Sequence, residues 1–193
     1  MAVSLLALLA AALLLGSGCG KKEVTLLPPD PASERADPPA QPPRGWRTHQ
    51  NAPAGFTIAL PRSWRAAVRD RATRVRSADG SVVVSLQADR SEDGRTIPAS
   101  DYALATLEAL PGYRDVEARQ AQAPRSPYEA ARVAGSGTRA RGERRQRVSV
   151  TVFRRPGQVT YTAVAFSALG ADAGRRTLDR ALATLRGGPP GRG

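Results

Sequence analysis

The clearest alternation of apolar and polar positions lies at residues 55–64, where Phe56, Ile58 and Leu60 alternate with Thr57 and Ala59. A period of two predicts a half-buried strand. Pro61 withdraws a backbone donor and ends it, and Trp64 adds a ring large enough to anchor a small core. Residues 65–77 interleave Arg with small or apolar residues, most regularly at Arg74-Val75-Arg76, and predict a strand or strand-like edge. Asp79-Gly80 then supplies the positive-φ turn of a tight hairpin. It leads into residues 81–87, a β run with Val82, Val84 and Leu86 on one face.

The period changes further on. The polar segment 89–94 lacks the alternating oxygen ligands and distal Glu of a calcium loop and reads as a turn. Residues 99–110 predict a helix, with Pro98 at its entry, Ser100 or Asp101 satisfying its free amides, and Leu104, Leu107, Leu110 and Ala103 forming one stripe. Pro111-Gly112 stops it. A strand is expected at 113–119, a loop at 123–127, and three sheet-forming runs at 128–135, 147–153 and 158–166. Val148, Val150 and Val152 share a face of the second run, and Pro156-Gly157 joins it to the third as an antiparallel hairpin. A last helix at 171–186 places Leu178, Ala181, Leu182 and Leu185 at i, i+3, i+4 and i+7. Gly187-Gly188 then releases the chain.

Residues before Gly55 have a different character. Residues 2–15 are an uncharged apolar run of 14, short for a membrane-spanning helix but suited to the apolar region of a secretory signal. Gly16, Ser17 and Gly18 follow, and then Cys19, the sole cysteine. This segment resembles a bacterial lipoprotein signal, with Gly16 where the motif usually has Leu. The resemblance implies diacylglyceryl transfer to the Cys19 thiol, cleavage before it, and a membrane-anchored protein facing the periplasm or exterior. Gly20, where an Asp would signal inner-membrane retention, favours the outer membrane in a two-membraned cell. An ordinary secretory signal or an uncleaved anchor is the alternative. Seven prolines between Pro28 and Pro43 favour extended polyproline II and predict a spacer. The chain thus divides into an address at 1–18, a lipidated Cys19 opening a disordered Pro-rich tether at 19–54, one domain at 55–187, and a disordered tail at 188–193.

A net charge of +12, carried by 27 Arg and 2 Lys, changes the picture in one respect. With abundant Ala, Gly and Pro, the skew fits a GC-rich genome; alternatively, the basic surface attracts anionic lipids or acidic wall polymers. Nucleic acid is the usual partner of such a balance, but the N-terminal segment argues against it, and none is expected. The densest cluster is Arg139, Arg141, Arg144, Arg145 and Arg147, before the Val148 strand, with Arg154 and Arg155 at that strand's far end. These five arginines either grip phosphate or carboxylate bidentately or decorate a solvated hairpin tip and discourage edge pairing.

A strand ending in Leu60-Pro61-x-x-Trp64, then strands, a helix, a long antiparallel meander and a terminal helix, resembles the PsbP-like fold. That family includes a photosystem extrinsic subunit, a nuclear-transport Ran-binding protein of the Mog type and many bacterial lipoproteins. The resemblance spans 55–187. It implies an α+β domain, an antiparallel meander packed with helices in an α/β/α sandwich, acting as a non-catalytic binding or assembly module. It transfers no functional residue, because Phe56, Ile58, Leu60, Pro61 and Trp64 are core positions. Catalytic signatures are missing from the residues themselves: there is no His/Cys cluster, no Gly-x-Ser-x-Gly elbow and no phosphate loop. Gly135-Ser136-Gly137-Thr138 lacks the Lys of such a loop and reads as a turn or strand end. His49, the only histidine, reads as a boundary residue, and Glu108, Glu117 and Glu129 as solvated surface. No enzyme activity, cofactor or metal is expected, the alternative being an envelope hydrolase or transferase with an unrecognised site.

Overall fold

The computed structural model describes residues 41–111, 118–138, 144–155 and 159–188. Ten strands and three helices run in the order β1 (Trp46–Asn51), β2 (Phe56–Pro61), β3 (Arg65–Arg69), β4 (Ala72–Arg76), β5 (Val82–Asp89), α1 (Glu92–Thr96), α2 (Ala99–Glu108), β6 (Arg119–Ala121), β7 (Glu129–Gly137), β8 (Gln146–Arg155), β9 (Val159–Ala168), α3 (Asp172–Leu182) and β10 (Arg186–Gly187). They form a seven-stranded antiparallel sheet of order β3-β4-β5-β9-β8-β7-β6 and a three-stranded sheet of order β1-β2-β10. The expected α+β architecture, with an antiparallel meander between helices, is the one found.

Strand alternation divides the large sheet into two faces. Val148, Val150 and Val152 of β8, with Val133 of β7 and Val164 of β9, pack beneath Ala99, Ala103 and Leu107 of α2. On the other face Val82, Val84 and Leu86 of β5, with Tyr161, Ala163 and Ala165 of β9, meet Leu178, Ala181 and Leu182 of α3. The same cluster takes in Phe56, Ile58, Leu60 and Trp64, so the stretch at 55–64 does lie at the centre of the larger core. Strand β9 is buried on both faces, which explains its nearly continuous run of apolar residues and threonines.

Several sequence expectations are corrected. The domain begins at Trp46, not Gly55, because β1 pairs along the whole of β2 from Trp46↔Pro61 to Asn51↔Phe56. Strand β1 is an edge that alternates weakly, so the sequence pattern did not mark it. Residues 65–77 are two strands rather than one, broken at Asp70, whose φ of 54° lies in the left-handed region that a short polar side chain tolerates. The polar segment read as a turn closes into α1, where the Ser91 hydroxyl accepts from the Gly94 amide at 3.1 Å. Helix α2 starts on Pro98 with no side-chain cap, and neither Ser100 nor Asp101 plays that part. Its buried row is Ala99, Ala103 and Leu107, leaving Leu104 41% exposed. Small alanines let this helix lie close to the valines of β7 and β8. The last helix ends at Leu182, and Arg186–Gly187 turns back as β10 to pair with Thr57 and Phe56. Most of the strand expected at 113–119, the Pro156-Gly157 turn, residues 189–193 of the tail and residues 19–40 of the tether lie outside the described residues.

A buried junction holds the small sheet on the large one. The Tyr161 hydroxyl donates to the Gly55 carbonyl at 3.0 Å, and the Gly188 amide donates to the same oxygen at 2.7 Å. The Gly187 amide donates to the Tyr128 hydroxyl at 2.6 Å. Phe56 meets the Tyr161 ring edge-on at 5.9 Å. A Cβ on Gly187 would collide with the Tyr161 hydroxyl and ring, and Tyr161 is only 1% exposed and cannot yield. Gly187→Ala is therefore expected to cost about 1–3 kcal/mol, measured as a fall in urea midpoint without change in the slope.

The β4–β5 turn is organised by one carboxylate. Asp79 Oδ1 accepts from the Ser77 hydroxyl at 2.6 Å, the Ser81 amide at 3.0 Å and the Ser81 hydroxyl at 2.9 Å. These hydrogen bonds, that from Ser77 first, hold its pKa at about 2. A folded-state pKa below the unfolded value means the contribution is complete above the unfolded pKa, near 4, and is lost as pH falls through about 2. Asp79→Asn is expected to flatten the dependence of the urea midpoint on pH between those limits.

Candidate basic cleft

The arginine cluster read from the sequence is only partly brought together. Arg139 and Arg141 lie outside the described residues, as does Cys19. Arg144 and Arg145 are exposed, and Arg145 donates back to the Ser136 hydroxyl at 3.0 Å and to the Ser136 carbonyl at 3.2 Å. Those contacts tie the end of β7 to the start of β8. Gly135-Ser136-Gly137 is thus the end of a strand. At the far end of β8, Arg154 faces Glu129 at 3.8 Å.

Arg147 is exposed as well, but its place in the strand gives it a different setting. As an odd-numbered residue of β8 it points away from Val148 and Val150, onto the face that carries α3. There it lines a cleft of about 210 Å³ with Arg132 of β7 and Arg175 of α3. Ser149 and Ser167 line the same cleft, and Val82, Ala165 and Leu178 give it apolar walls. Small side chains at Ala134, Ser149 and Ala165 leave the space; larger ones would fill it.

The three arginines are not equivalent. Arg132 is largely buried and already neutralised: its guanidinium donates to Asp179 at 2.6 Å and to the Thr151 hydroxyl at 2.8 Å. This pair pins α3 to the sheet. Arg175 donates to Asp172 and to the Leu169 carbonyl, both on its own helix or the turn before it. Burial, then repulsion from the neighbouring Arg147, pushes the Arg175 pKa down, with Asp179 pulling it the other way. Arg147 joins no ion pair among the described residues. Two guanidinium groups thus face one cleft, and the nearest carboxylates are already engaged by Arg132 and Arg175. An anion between them would relieve their repulsion and could take charge-assisted hydrogen bonds from both.

Sequence reasoning found Arg147 but not Arg132, Arg175 or Asp179 as its neighbours. The available signal was the parity of β8, which separates Arg147, Ser149 and Thr151 from the valines and marks a polar row on the second face. Nothing local could have placed α3 over that row. His49 stands apart: burial, and next the charge of Arg47, lower its pKa, so it is neutral at pH 7. Among the described residues no group of His, Cys, Asp and Glu could hold a metal ion. Nor is any described helix long and apolar enough to cross a membrane.

No family model and no curated protein matches the chain. Solved structures do. The yeast Ran-binding protein Mog1p superposes with a TM-score of 0.52 at 8% identity, covering 72% of this chain and 94% of that one. A Bacteroides thetaiotaomicron protein gives 0.51 at 10% identity over 74% of this chain, which spans about half (48%) of that protein's length. Cyanobacterial PsbP from Synechocystis gives 0.48 at 12% identity, over 73% and 91%. At these identities the likeness is one of fold, and the first two carry it.

Proposed function

We propose that this chain is a lipoprotein of the cell envelope, anchored through Cys19, whose α+β domain is a non-catalytic binding module for an anionic envelope component. The group it grips is a phosphate or carboxylate of a lipid or wall polymer, held between Arg147 and Arg175. The observation that carries this reading is the convergence of those two guanidinium groups, 28 residues apart in sequence, on a cleft where Asp179 is committed to Arg132. Support for the address comes from the apolar run at 2–15 and the placement of the sole cysteine directly after its small residues. What favours binding over hydrolysis or group transfer is the lining itself. It offers hydroxyls and guanidinium groups, and its one carboxylate is tied to Arg132 rather than free to act as a base.

Inorganic phosphate is expected to raise the melting temperature of the full chain saturably, since a ligand bound only by the folded state stabilises it. Arg147→Gln and Arg175→Gln should each weaken that response by roughly tenfold in concentration, while Arg144→Gln leaves it intact. Equal responses in all three variants would count against the cleft. Independently, metabolic labelling with radioactive palmitate should mark the wild-type chain and not Cys19→Ala. Labelling of neither would remove the anchor and leave the cleft untouched.

A further inference from the structure

The opposite face of the large sheet carries a second concave surface that the cleft does not account for. Helix α2 covers β7 and β8 but stops short of β5 and β4. The part that no described element covers is a groove of about 550 Å³, walled by Leu110 and Pro111 at the end of α2 and floored by Val83, Val164 and Phe166. That volume lies within the usual range of small-molecule sites. Arg74 of β4 stands on its far side.

Strand register orders this face chemically. One row across the sheet reads Phe166, Val83, Arg76, Arg65 on β9, β5, β4 and β3, each residue directly opposite the next. The adjacent row reads Val164, Ser85, Arg74, Ala67. Polarity therefore changes from apolar on β9 through mixed on β5 to cationic on β4, and Arg65 extends the charge onto β3 in the first row. Strands lie about 4.8 Å apart, so the apolar and cationic ends are separated by roughly 10 Å. Arg65, Arg74 and Arg76 line one trough beside the groove, with Arg74 shared between the two. None of these three joins an ion pair among the described residues.

From this layout we infer that the groove binds a single-chain amphiphile with an anionic head, of the fatty-acid class. Its hydrocarbon lies along Val83, Val164 and Phe166 against Leu110, and its carboxylate takes hydrogen bonds from Arg74 and Arg76. An apolar ligand without charge would leave the arginine rows idle, and a simple anion would leave the hydrophobic floor wet. The ordered gradient matches an occupant that has both parts. This site is on the other side of the sheet from the Arg147–Arg175 cleft and does not depend on it.

The full chain, reconstituted in phosphatidylcholine nanodiscs, can be photolabelled with a diazirine-bearing dodecanoic acid and with the corresponding dodecanol. Labelling by the acid is expected to map to the β5 and β9 peptides around Val83 and Phe166. In an Arg74→Gln/Arg76→Gln double variant, which removes two charged hydrogen bonds, the acid's labelling should fall by roughly tenfold or more, while the alcohol's is unchanged. Undiminished labelling by the acid in that variant, or labels scattered away from β5 and β9, would overturn the inference. Arg147→Gln should make no difference. A loss there instead would place the acid in the cleft and refute the groove.

Discussion

The fold depends on how a narrow three-stranded sheet is held against a wide seven-stranded one. That joint is a carbonyl, Gly55 O, which accepts from the hydroxyl of Tyr161 and from the amide of Gly188. Tyr161 belongs to β9, near the middle of the large sheet. Gly55 precedes β2 and Gly188 follows β10, so one buried oxygen gathers three remote parts of the chain. In a dry interior such polar atoms are costly to leave unpaired. Tyr128 completes the arrangement by accepting from Gly187, and Phe56 fills the space beside the Tyr161 ring. The absence of a side chain at Gly187 is what lets β10 approach so closely.

With the joint closed, the two faces of the large sheet acquire different fates. One face is covered by α3 and the small sheet, and a charged cleft survives where small residues meet Arg132, Arg147 and Arg175. The Arg132–Asp179 bridge there links helix to sheet, Arg175 is paired with Asp172, and Arg147 is left without an ion pair among the described residues. The other face is covered only over β7 and β8, because α2 is ten residues long and meets Pro111 soon after its end. No described element covers the remaining strip over β5 and β4, which keeps its apolar and basic rows in order. Both surfaces follow from incomplete coverage of one sheet by short helices.

Much of the architecture was legible because burial imposes its period on the chain. The valines at 148, 150 and 152, the alternation at Phe56–Leu60 and the leucines of α3 all sit where those periods put them. Strand β1 was not legible, since an edge strand with one intermediate or buried position in every few residues has no strong alternation. The stripe on α2 was misread because Leu outranks Ala in any hydrophobic count. The sheet instead selected the row whose small side chains allow close approach. The run at 139–147 is the densest in arginine, yet Arg145 is occupied with Ser136 and the cleft is built from arginines spread across β7, β8 and α3.

The residues alone determined the α+β class, the antiparallel pairing of β8 with β9 and the identity of the central core stretch. Each of these follows from local periodicity or from turn chemistry. Tertiary structure decided which arginines meet, which carboxylate is spent on which partner, and which strip of sheet stays uncovered. These depend on strand order and helix placement, where residues far apart in sequence compete for the same neighbour. No window of adjacent positions records the outcome of that competition.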